Sequence, residues 1–180
     1  LAIHLSTAII IVSSIFWLIK NILSNSNKFF FKLTINNLPF QIFILLIFIQ
    51  IIMGALVSGL DAGKIYQTWP MMGSNYLPND FNFKDLSSTL EFDNHSLVQF
   101  YHRNLAYLII LYAIFLSIFI YKKKMQKLYF SLKVLLFFLS FQVLLGIFTL
   151  ITGLNIYLAS AHQITSVLLA FSALNLYYFR

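Results

Sequence analysis

Histidine carries the coordination chemistry open to this sequence, because its 180 residues include no cysteine. His4, His102 and His162 each stand in a long apolar run, whereas His95 follows directly on Asp61, Asp80, Asp85, Glu91 and Asp93, the only acids in the chain. An ionisable ring is costly in an apolar run and marks a function by default. Depth groups the three rings: His4 precedes Lys20 by 16 residues, His102 precedes Lys122 by 20, and His162 precedes Arg180 by 18. At 1.5 Å per residue these are roughly 24 to 30 Å of helix, so the rings are expected at one height.

Clearance distinguishes a metal ligand from a packed histidine. One turn beyond each ring, at i+4 on the same helix face, stand Ala8, Ala106 and Ser166, and Ala159 lies just before His162. A porphyrin is a wide flat plate that needs a small residue beside its ligand, which a histidine hydrogen-bonded into a core does not. Neutral imidazole ligates heme iron, and facing helices of a bundle can supply both axial positions. His102 and His162 are the expected pair, with Arg103 placed to meet a heme propionate through a charge-assisted bond. His4 is then expected to serve a second metal site. Zinc lacks the cysteine or acidic neighbours that would complete a tetrahedral set. Interhelical hydrogen bonding without a metal is the competing reading, and His95 reads as a surface residue.

The elements that must hold these rings are membrane helices. The chain is 60% hydrophobic and 9% charged, with mean hydropathy +0.84. About 20 apolar residues cross a bilayer, and five segments qualify, near 1–19, 39–60, 97–120, 133–152 and 155–179. They are apolar on every face, unlike the alternating strands of an outer-membrane barrel. The net charge of +7 is topogenic rather than a nucleic-acid signal: Lys122, Lys123, Lys124, Lys127 and Lys133 flank two spans, where positive charge sets orientation. Lys20, Lys28, Lys32 and Arg180 join them inside, and residues 61–95, two lysines against five acids, lie outside. The 20 phenylalanines and 10 tyrosines are expected to face lipid or form interfacial belts. The chain opens on Leu1 within a span, without a charged stretch before it, and so reads as a piece of a longer protein.

A short internal repeat orders the spans. Gln50-Ile-Ile-Met-Gly54 matches Gln142-Val-Leu-Leu-Gly146, and each is followed by a histidine-bearing span. The unit is a Gln-x-x-x-Gly helix leading outward and a His helix returning, with His4 on an orphan second helix. Gln50 and Gln142 are expected to hydrogen-bond across helices, since an unpaired amide in hydrocarbon is costly. Gly54, Ser58 and Gly59 form a small-residue face for close packing. The organisation expected is an all-α membrane bundle: a helix over 1–20 left from a preceding half, an inner linker over 21–38, and a four-helix heme-binding domain over 39–180.

The loop segments add specificity. Gly54 to Gly63 reads Gly-Ala-Leu-Val-Ser-Gly-Leu-Asp-Ala-Gly, Tyr66 to Gly73 reads Tyr-Gln-Thr-Trp-Pro-Met-Met-Gly, and Gln99-Phe-Tyr-His-Arg103 opens the third span. With Leu145 to Leu150 and Ala159 to Gln163, they resemble the heme A synthase family over essentially the whole chain. The resemblance implies eight transmembrane helices in two pseudosymmetric halves, of which these are the last five. It implies heme b on His102 and His162, and heme O as substrate in the other half with His4 as one ligand. The implied reaction oxidises a heme O methyl group to a formyl, giving heme A for cytochrome oxidase. Catalytic residues would lie upstream, so this chain alone is expected to be inactive. The implied setting is a bacterial cell membrane, or a mitochondrial inner membrane. Implied partners are lipid, the heme O-producing enzyme, an electron acceptor of open identity and, as an allowed assembly, further copies of the chain. For Asp61, Trp69 and Pro70 a structural role in ordering the loop competes with a functional one. A non-enzymatic cytochrome b relay would share His102 and His162 but leave His4 and the Trp-Pro segment unexplained. A transporter would call for charged or broken-helix sites near the midplane, and no acid falls within a span.

Overall fold

A computed structural model describes residues 2–80 and 91–180, so Leu1 and Asp85 lie outside the described residues. The protein is an all-helical integral membrane protein. Its helices are α1 (Ala2–Leu23), α2 (Leu38–Gly59), α3 (His95–Lys122), α4 (Tyr129–Ile151) and α5 (Ile156–Phe179). All five are long and apolar enough to cross a membrane, and no strand forms among the described residues.

Local chemistry sets the helix starts. Pro39 stands in the first turn of α2, where its missing N–H costs nothing. Asn94 caps α3 by accepting from the Leu97 amide, and Asn155 caps α5 by accepting from the amides of Tyr157 and Leu158. These caps place His102 seven residues into α3 and His162 six residues into α5.

Packing pairs α2 with α3 and α4 with α5, the two sequence units, and α2 against α5 joins them. α1 lies along α2 and α5, with most of its length exposed. The densest core lies towards the lysine-bearing end, where Phe40, Phe43, Leu116, Ile120, Leu132, Leu135 and Leu176 are almost fully buried. Here an expectation is corrected: Phe40, Phe43, Tyr177 and Tyr178 are core residues rather than lipid-facing ones. They pack because the segment between α1 and α2 folds under the bundle. The Trp17 indole donates to the Lys28 carbonyl at 2.9 Å, Lys28 Nζ to the Tyr178 carbonyl at 2.7 Å, and the Tyr177 hydroxyl to the Phe30 carbonyl at 2.7 Å. Rings stack within this knot, with Trp17 and Tyr177 centroids 5.4 Å apart. The small-residue face is also corrected. Gly54 meets a neighbouring helix, but Ser58 and Gly59 are exposed, because α2 has by then reached its end.

The α5 cap yields a test. Asn155→Ala leaves two first-turn amides unpaired and is expected to lower stability by about 1 kcal/mol, read as a reduced thermal midpoint in detergent; an unchanged midpoint would show that the cap contributes nothing.

Candidate heme site

Each imidazole lies on the bare backbone of the partner helix in its unit. A Cβ built on Gly54 would stand 3.1 Å from His102 Cε1, and one on Gly146 only 2.9 Å from His162 Cε1. No other residue type leaves the rings where they are.

The glutamine one turn earlier on the same helix completes the seat. Gln50 Nε2 donates to the His102 carbonyl at 3.0 Å and lies 3.4 Å from His102 Nε2. Gln142 Nε2 lies 3.3 Å from His162 Nε2, and His162 Nδ1 is 3.1 Å from the Gln142 carbonyl. A carbonyl only accepts, so in the neutral ring Nδ1 carries the proton and Nε2 keeps its lone pair. Ligating histidines are held in this way, with the second nitrogen donating to a backbone carbonyl. His102 Nδ1 is buried without a hydrogen-bond partner. Two imidazoles on separate helices of one bundle, each with Nε2 facing a glutamine amide, are a donor set that fits heme iron. An apolar cleft of about 430 Å³ opens between α3 and α4, lined by Ala113, Leu136, Leu139 and Val143, with Ser140 the polar exception.

The loop after α2 is fastened to α3 beside His102. Arg103 Nη2 donates to the Tyr66 carbonyl at 2.9 Å, and Nη1 donates to those of Thr68 at 2.9 Å and Met71 at 3.3 Å. Gln99 Nε2 adds a bond to the Tyr66 carbonyl at 2.9 Å, and the Trp69 indole donates to the Tyr107 hydroxyl at 3.1 Å. The Tyr76 hydroxyl donates to Asn104 Oδ1. Within the loop, the Thr68 hydroxyl donates to the Met71 carbonyl at 2.9 Å and accepts from the Gly73 amide at 2.8 Å. Asp61 pairs with Lys64 at 3.0 Å, both side chains well exposed, a contact of small energetic weight.

His4 is exposed on the first turn of α1, and His95 is exposed at the start of α3. Among the described residues no three of His, Cys, Asp and Glu gather at metal-binding distance.

A family model described as cytochrome oxidase assembly protein matches residues 1–174. The chain belongs to this family. The heme A synthase of Pelagibacter ubique (strain HTCC1062) is 47% identical over 172 residues, 93% of this chain and 48% of that protein. That of Rickettsia africae (strain ESF-5) is 36% identical over 181 residues, 94% of this chain and 50% of that protein. That of Wolbachia sp. subsp. Brugia malayi (strain TRS) is 40% identical over 133 residues, 74% and 38% respectively. The chain spans about half the length of these relatives.

Two features escaped the sequence reading. The Gln-x-x-x-Gly repeat was visible, but not that both its residues meet the same imidazole. Arg103 was visible, but not that three loop carbonyls occupy two of its nitrogens. Charge-assisted bonds contribute about 1.5 to 3 kcal/mol each, so Arg103→Gln is expected to loosen residues 66–73. Their backbone amides should exchange with solvent at least about tenfold faster, as a loss of about 1.4 kcal/mol implies; unchanged exchange would show that the loop holds itself.

Proposed function

We propose that this chain is the heme b-binding portion of a heme A synthase, with His102 and His162 as the two axial ligands through Nε2. The observation carrying the proposal is the paired seat: each ring lies on a glycine, each Nε2 faces a glutamine amide, and the His162 contacts fix the tautomer that leaves Nε2 free to bind. When bound between these histidines, the heme would supply one-electron transfer.

The chain's own residues do the positioning. The bundle of residues 39–180 holds the two imidazoles, and an apolar cleft lies between α3 and α4. Arg103 retains a buried Nε–H without a partner, a donor available to a propionate, while its other nitrogens order the loop. His4, on the helix over 1–20, is assigned to the heme O side, where the methyl group is oxidised to a formyl. Its exposed face suits further helices of a longer protein. The lysine-rich end lies inside and the 61–96 loop outside, as the basic flanks of the spans direct. The linker over 21–38 then runs along the inner surface, in a bacterial cell membrane. The heme O-producing enzyme is the expected upstream partner.

The test uses the full-length protein purified from membranes, with heme b counted by pyridine hemochrome. His102→Ala and His162→Ala should each cut heme b content to below about a tenth of wild type, as loss of an axial ligand demands. Pigment extracts of a host lacking its own synthase should contain heme A only with the wild-type protein. Undiminished heme b in either variant would reject the ligand assignment.

A further inference from the structure

We propose that Gln50 and Gln142 are positioning residues that hold the Nε2 lone pairs of His102 and His162 until iron takes them. The inference rests on the ligand assignment above and adds a role for residues outside the coordination sphere.

A side-chain amide nitrogen can only donate, so its approach to an imidazole nitrogen is favourable only where that nitrogen is unprotonated. For His162 the ring's other contact requires the same state: Nδ1 faces the Gln142 carbonyl at 3.1 Å and must carry the proton, which leaves Nε2 as acceptor for the Gln142 amide 3.3 Å away. For His102 the amide's orientation is fixed independently. Gln50 Nε2 donates to the His102 carbonyl at 3.0 Å, which an amide oxygen cannot do, so the group facing His102 Nε2 at 3.4 Å is an N–H. The two units share an amide N–H set against Nε2, and they differ at Nδ1, which has a carbonyl partner in His162 and none in His102.

The far side of each amide supports the same conclusion. Gln50 Oε1 and Gln142 Oε1 are both buried without a hydrogen-bond partner, a cost an apolar residue of equal size would avoid. The amides therefore serve through their N–H groups. An imidazole in an apolar bundle has two neutral tautomers, and only the one with a bare Nε2 can ligate iron through that atom. The glutamines favour that tautomer and fix the ring's angle on its glycine, so little reorganisation remains when iron displaces the amide. Such preorganisation strengthens binding by lowering its ordering cost.

The experiment has two arms on the full-length protein. In wild type prepared without heme, ring 15N spectra of labelled histidine, assigned with His102→Ala and His162→Ala, should show protonated Nδ1 and bare Nε2 at both positions. A protonated Nε2 at either ring overturns the proposal. In the second arm, Gln50→Met and Gln142→Met keep the side-chain length and remove the donor. Hemin titration should show affinity reduced about 10- to 100-fold, the usual effect of losing a group that orients a ligand, with the low-spin spectrum retained. If the histidine variants lose heme while both methionine variants bind with wild-type affinity, the glutamine role fails and the ligand assignment stands. If the histidine variants bind heme as wild type does, the ligand assignment itself fails.

Discussion

An imidazole deep in a membrane bundle must satisfy two demands at once: space for a flat ring against a neighbouring helix, and partners for two ring nitrogens where water is scarce. Here one four-residue spacing meets both. A glycine gives the ring a place on bare backbone, and a glutamine one turn earlier on the same helix presents its amide to the ring's edge. Because i and i+4 share a helix face, the two residues reach the same histidine without any distortion of α2 or α4. This contact lies within the pairings of α2 with α3 and of α4 with α5.

The two ends of the bundle divide the work. At the lysine-bearing end the core is tight and aromatic, with the connector from α1 tied to the last turn of α5 through Trp17, Lys28, Phe30 and Tyr177. At the histidine end fewer side chains are fully buried, and order comes from hydrogen bonds between Arg103, Gln99 and the carbonyls of residues 66–71. A rigid base with a polar, loop-ordered rim suits a site that admits a large planar group between helices.

Much of this was legible in the sequence. The five spans could be read because their apolar runs are broken by lysines or acids. The Gln-x-x-x-Gly repeat signalled the two-helix unit. What spacing could not supply was rotation about each helix axis, so the joint contact of Gln50 and Gly54 with His102 stayed hidden. Burial of Phe40, Phe43, Tyr177 and Tyr178 was missed for a related reason: an aromatic at a span's end looks the same whether it faces lipid or a folded-back connector. Ser58 and Gly59 misled because their small size suggested packing, yet α2 ends there and leaves them exposed. Arg103 was read as a donor to a heme propionate, and the loop carbonyls that hold two of its nitrogens carry no signature in sequence.

The central claim is that two seated rings grip one iron atom. A density map of the heme-loaded full-length protein, at a resolution that separates side chains, tests it most directly. The account predicts a single planar density bridging Nε2 of His102 and Nε2 of His162. Heme bound through only one of these rings, with the other still facing its glutamine, would contradict it.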